Sequence, residues 1–160
     1  MYEILDRSLF EDDSAPARAE WRQSAVTTHV ALIGGFTPRR CGIATFTADI
    51  YASLMAASPD LAIDVYAMTA GANLEPSHSA VHATIADHDR ESYARAAHMI
   101  NQSGADVVWL QHEFGLFGGA AGDMVLGLVD RIAAPLIVTL HTVLESPDRS
   151  EERRVGKECW

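Results

Sequence analysis

Lysine is all but missing from this sequence: Lys157 is the only one, and every other basic residue is an arginine. With 12 basic against 22 acidic residues, the formal charge is −10. That balance excludes a nucleic-acid surface, which needs a basic patch to meet phosphates, and this chain has none of any extent. Cysteine is nearly as scarce. Two residues, Cys41 and Cys159, are too few and too far apart for a disulfide framework or a metal site. No apolar run approaches the roughly 18 to 20 residues of a membrane span. The opening stretch, Met1 to Arg22, is acidic and polar instead of basic and then apolar, so no secretory signal is read in it. These absences leave the expectation of a soluble cytoplasmic protein. At 160 residues and 48% hydrophobic composition, it is long enough to bury a sizeable core in one domain.

The chain is organised around the stretch from Val30 to Leu54. A short apolar strand (Val30, Ala31, Leu32, Ile33) runs into a glycine-containing turn from Gly34 to Gly42 and then into a helix. Ile43, Phe46, Thr47, Ile50, Tyr51 and Leu54 recur at the spacing of one helical face. A strand feeding such a turn and a helix makes an anion site, because the first helical turn leaves its N–H groups free and the helix dipole favours negative charge. Gly42 sits where that turn begins, so a phosphate can approach the backbone closely, with Arg39 and Arg40 just upstream to supply charge. The plain alternative is a tight connection and nothing more. The spacing is neither the dinucleotide fingerprint nor the P-loop, since no Gly-Lys-Ser/Thr follows.

Before that stretch, residues 1–28 read as a mobile extension carrying Glu11, Asp12, Asp13 and Pro16. After it, Ser58-Pro59-Asp60 breaks the pattern, and Leu61 to Met68 alternates Leu61, Ile63, Val65 and Ala67 as a second strand. Thr69 to Ser79 is loop, and Val81 to Ala86 is a weaker third strand. Asp87 or Asp89 then caps a helix whose apolar side carries Tyr93, Ala96, Ala97 and Ile100 and which stops at Gly104. Asp106 to Gln111 is a continuous apolar run of the kind buried on both faces of a parallel sheet. Gly118 to Gly122 follows, then a third helix with Val125, Leu128, Val129 and Ile132 on one face, then Pro135 and the strand Leu136 to Leu140. Strands alternating with helices at this spacing predict an α/β fold, a Rossmann-like open parallel sheet with helices on both faces over residues 29–148.

In such sheets ligands collect outside the carboxyl ends of the strands. Three polar stretches fall there: Gly34 to Gly42, His112-Glu113 ahead of Phe114-Gly115-Leu116-Phe117-Gly118-Gly119, and His141-Thr142. Histidine at a strand end can donate to a hydroxyl or carbonyl oxygen, and Glu113 can accept from sugar hydroxyls or orient His112. Each histidine can equally serve only a neighbouring backbone group. A metal site from His112, Glu113 and His141 lacks ligand spacing, and His78, His82 and His88 read as surface loop. No nucleophile elbow is present for a hydrolytic triad.

Over about Val30 to Pro147 the chain resembles the N-terminal domain of family 4 glycosyltransferases, retaining enzymes of the GT-B fold. The likeness is carried by Pro38-Arg39-Arg40-Cys41-Gly42-Ile43-Ala44-Thr45-Phe46, by Gln111 to Gly119, and by Val138-Thr139-Leu140-His141-Thr142. The resemblance implies the N-terminal half of a two-domain enzyme, with the acceptor held mainly by this half and the sugar nucleotide mainly by a C-terminal domain. It implies transfer of a glycosyl group from a nucleoside diphosphate sugar to a hydroxyl of a sugar, lipid-linked sugar or small molecule, with retention, no bound metal and no cofactor. Carried over by position, His141 matches the histidine beside the transferred sugar and His112-Glu113 a pair lining the cleft, so His141 and His112 are the catalytic candidates. Gly42 matches the second glycine of a Gly-Gly turn near the diphosphate, with Cys41 replacing the first. Together with Arg40, Glu113 and Thr142 these form the expected substrate-binding set. Two other classes remain open: a non-catalytic Rossmann-like module binding a nucleotide or phosphate, and a GT-B sugar-nucleotide epimerase.

From Arg149 to Cys159 the composition changes abruptly. These eleven residues resemble the in-frame translation of a common short-read sequencing adapter, and they lack the apolar period of any helix or strand. Residues 149–160 are therefore read as a non-native tail, and the natural chain is expected to continue in another way. On that reading the fragment by itself is an inactive half of the enzyme.

Overall fold

The computed structural model describes residues 26–71 and 78–143. The expected extension up to residue 25, most of the loop after Thr69 and the expected tail lie outside the described residues. Eight elements build the fold: β1 (His29–Gly34), α1 (Gly42–Ala57), β2 (Ala62–Thr69), β3 (Val81–Ala86), α2 (Arg90–Ser103), β4 (Val107–His112), α3 (Met124–Val129) and β5 (Leu136–Leu140). The strands form one sheet in the order β3-β2-β1-β4-β5, and every pairing is parallel. This is the Rossmann-like open sheet that the alternation of strands and helices predicts.

Because successive side chains of a strand point to opposite faces, the central strands feed two cores. Ala31 and Ile33 of β1 join Tyr66, Met68, Val108 and Leu110 beneath α2 (Tyr93, Ala96, Ala97, Ile100) and α3 (Val125, Leu128). On the other face Leu32, Val65 and Ala67 pack with Ala48, Ile50 and Tyr51 of α1. Helices thus cover both faces, and each fully buried Leu or Ile stabilises the fold by about 1.5 to 3 kcal/mol. Asp106 aligns β1 with β4. Its carboxylate accepts from Thr28 N (2.8 Å), His29 N (3.0 Å) and Thr28 Oγ1 (3.1 Å), bonds that hold its pKa below the usual carboxylate range.

Three expectations need correction in detail, and one open alternative, the cap of α2, is resolved. The second strand is buried on both faces, because Tyr66 and Met68 fill the larger core while Val65 and Ala67 fill the smaller. On α1 the fully buried positions are Ile43, Ala44 and Thr47, whereas Phe46 is exposed. Asp89, not Asp87, caps α2: its side chain accepts from Glu91 N, while Asp87 turns back to accept from Gly71 N. Finally, α3 is short. It starts at Met124 after a 3₁₀ turn, Ala120–Gly122, and stops at Val129, so Ile132 packs from beyond it. Asn101 explains the stop, since its amide bonds Arg131 O (2.7 Å) and Ala133 N (2.9 Å), taking backbone groups a longer helix would use.

Among the described residues the edge strand β5 pairs only with β4, and Ile137, Val138 and Leu140 are exposed. Among the described residues no helix is long and apolar enough to cross a membrane.

Candidate functional site

The sheet brings the carboxyl ends of β1, β4 and β5 side by side, and the three polar stretches meet there. On the β1 side the chain turns through Gly34 and Gly35 into α1. Both glycines stand where backbones and side chains crowd. A Cβ on Gly34 would lie 3.0 Å from Gln111 Cβ and 3.1 Å from Thr47 Oγ1, and one on Gly35 would lie 3.4 Å from Ala44 N. The turn therefore seats the start of α1 directly over the sheet edge.

The N-terminus of α1 is open. Cys41 is its N-cap, with extended backbone angles (φ −150°, ψ 161°) and no side-chain bond to the first turn. Its thiol is buried in the larger core, so only its backbone is left for a ligand. Extended angles suit any residue, which is why cysteine fits where the resemblance implies glycine. Gly42 is exposed, and a Cβ there would meet nothing within 4 Å. Arg40 is exposed beside it. The N-terminus of α2, in contrast, is already occupied by the Asp89 carboxylate.

Across the edge, β4 ends in Gln111 and His112. Gln111 is fully buried, and its Oε1 lies 3.0 Å from His141 Nε2, while its Nε2 has no hydrogen-bond partner among the described residues. Phe46 of α1 meets the His141 ring edge-on at 4.8 Å, and His141 N donates to His112 O at 3.0 Å. The exposed Phe46 thus belongs to the wall of the site.

His112 stacks on Phe117 (5.6 Å) and meets Phe114 edge-on (5.4 Å). Its Nδ1 is buried without a hydrogen-bond partner among the described residues. Burial pushes its pKa below the ordinary 6.5; Glu113 opposes that shift and His141 adds to it. Burial thus favours the neutral ring. Glu113 is buried, with one carboxylate oxygen accepting from Phe114 N (2.9 Å) and the other from Thr142 Oγ1 (2.7 Å). It therefore ties the loop after β4 to the end of β5.

That loop is anchored from below by Tyr93. The Tyr93 hydroxyl donates to Asp87 O (2.8 Å) and accepts from Gly118 N (3.1 Å), and burial pushes its pKa up to about 12. A Cβ on Gly118 would fall on the Asp87 carbonyl oxygen.

Of the expected residues, the structure brings together His141, His112, Glu113 and Thr142, with the backbone of Cys41 and Gly42 on the neighbouring loop. Gln111 and Phe46 were not among the expected site residues. A glutamine closing an apolar strand was the available signal for the first; Phe46 reads as core until β5 is placed. His78 packs on Phe36 and Tyr51, His82 lies within β3 3.7 Å from Asp64, and His88 is exposed beside Gly118 of the loop after β4. Among the described residues no group of three or more His, Cys, Asp or Glu is placed to hold a metal ion.

No protein-family model matches the chain, and no curated protein matches it. Among solved structures it is similar to the solution structure of a phosphate-loop protein. The identity is 17%, the TM-score is 0.40, and 79% of this chain and 83% of that one are covered. A likeness that distant carries no argument about ligand or fold. The architecture rests on the strand order and the parallel pairing of the chain itself.

Proposed function

We propose that this chain is the acceptor-side half of a retaining glycosyltransferase, which moves a glycosyl group from a nucleoside diphosphate sugar to an acceptor hydroxyl. One observation carries the reading. The three stretches on which the family resemblance rests converge at one sheet edge, through Gln111 to His141 (3.0 Å) and Glu113 to Thr142 (2.7 Å), beside the uncapped start of α1. The chemistry suits that place. When the bond from the sugar's anomeric carbon to the diphosphate breaks, negative charge grows on the departing phosphate oxygen, and free first-turn N–H groups favour it. The acceptor oxygen bonds the same carbon on the same face, and its proton leaves with the diphosphate. His141, held at the strand end, contacts the sugar, and Glu113 holds the loop closed instead of acting as a base. The remaining donor contacts belong to the second domain that the resemblance implies.

Nucleoside diphosphate sugars titrated into the 15N-labelled chain should shift the amides of Gly42, His112 and His141. The purified chain incubated with a panel of these donors and hydroxyl acceptors should yield no product, because half the cleft is supplied elsewhere. Inorganic phosphate shifting the same amides as strongly as the sugar nucleotides would favour a non-catalytic phosphate module. Robust transfer by the chain alone would overturn the division into two halves.

A further inference from the structure

We propose that Gln111 is a positioning residue that fixes His141 as its Nε2–H tautomer, so that Nδ1 faces the site as a hydrogen-bond acceptor for a ligand hydroxyl. With the Gln111 amide oriented so that Oε1 lies 3.0 Å from His141 Nε2, a carbonyl oxygen can only accept, and we place the proton on that nitrogen. In the neutral ring Nδ1 then carries the lone pair. Its chemical complement is a hydroxyl that donates, and an anionic oxygen finds no donor there. This specifies the sugar-facing part of the site and rests on the reading of His141 as a ligand contact.

Gln111 is itself rigidly held. It is fully buried, its Cβ stands against Gly34, and Thr47 beside it spends its hydroxyl proton on Ile43 O at 2.7 Å. The His141 ring has two further restraints, the Phe46 ring edge-on at 4.8 Å and its own backbone N bonded to His112 O at 3.0 Å. Rotation and tautomer are thus both set before any ligand arrives. The glutamine keeps this arrangement at the expense of a buried, unpartnered Nε2, which a leucine of similar volume would avoid. A residue selected for packing alone has no reason to carry that unpaired donor.

The test is nitrogen NMR of the histidine rings in the 15N-labelled chain, at a pH where they are neutral, with His141→Gln to identify the His141 signals. His141 should show a protonated Nε2 and an unprotonated Nδ1, with its ring proton slow to exchange with water. Gln111→Leu should speed that exchange roughly tenfold, on the scale of one intramolecular hydrogen bond. Gln111→Glu, which keeps an acceptor in place, should restore slow exchange. A protonated Nδ1 in the unaltered chain, or unchanged exchange in Gln111→Leu, would overturn the assignment. Should Gln111→Leu not fold, the unaltered chain and Gln111→Glu decide it. Failure of sugar nucleotides to bind, with the tautomer as described, would count against the proposed function and leave this role of Gln111 standing.

Discussion

In the loop after β4, a methyl group added to Gly118 would fall on the Asp87 carbonyl oxygen; at the start of α1, where the loop after β1 ends, the same methyl on Gly42 meets no atom within 4 Å among the described residues. Gly119 extends the contrast, because its backbone (φ 92°, ψ −168°) lies in a region that side chains scarcely enter. Gly118 and Gly119 are accounted for by the fold. Gly42 is not, since nothing among the described residues asks for the absence of a side chain there. Two loops that look alike as sequence are therefore different devices: one is a packed wall, the other an open approach to a helix N-terminus.

The largest effect should come from breaking the wall. Gly118→Ala must displace the Asp87 backbone or the Tyr93 bridge, and we expect at least about 3 kcal/mol of destabilisation in chemical denaturation, the upper end of overpacking costs. An unchanged midpoint would mean the wall is soft and the contrast with Gly42 false.

A smaller effect tests whether the wall behaves as core. His112 is held below its ordinary 6.5 by burial, so the unfolded chain takes up its proton at higher pH than the folded chain does. Stability from this residue is complete above 6.5 and is lost as the pH falls below it towards the folded value. The denaturation midpoint of the unaltered chain should therefore drop more steeply with acid than that of His112→Gln. Parallel curves would place His112 in a solvated environment.

Least of all should change in the open loop. Gly42→Ala is expected to alter stability by no more than about 0.5 kcal/mol, in either direction, while weakening the amide shifts produced by a nucleoside diphosphate sugar. If instead the substitution lowers stability markedly and leaves the shifts intact, Gly42 belongs with Gly118 as a packing residue.

Most of the sheet was legible before the structure. Val107 to Leu110 could only be a buried strand, Gly104 had to end the preceding helix, and the alternation of elements left few topologies. The chemistry was legible in outline, since histidines at two strand ends on the same edge call for explanation. What one dimension conceals is pairing. That Glu113 engages Thr142, that Phe46 faces His141 instead of the core, and that Asn101 cuts α3 short all depend on contacts across 29 or more positions. No local period reports such contacts. The capping of α2 by Asp89 over Asp87 was undecidable from spacing alone, because either carboxylate stands within reach of a helix start.

The Tyr93 hydroxyl gives and takes one hydrogen bond at once, between Asp87 and Gly118. A surface loop ordinarily opens and closes on its own, shedding amide protons to solvent far faster than the strands it joins. Here the Gly118 amide is fastened to a helix through Tyr93, which itself lies in the main core, so its proton can leave only when that helix lifts. On the clock of hydrogen exchange the loop after β4 keeps time with α2, and the wall of the cleft lasts as long as the domain does.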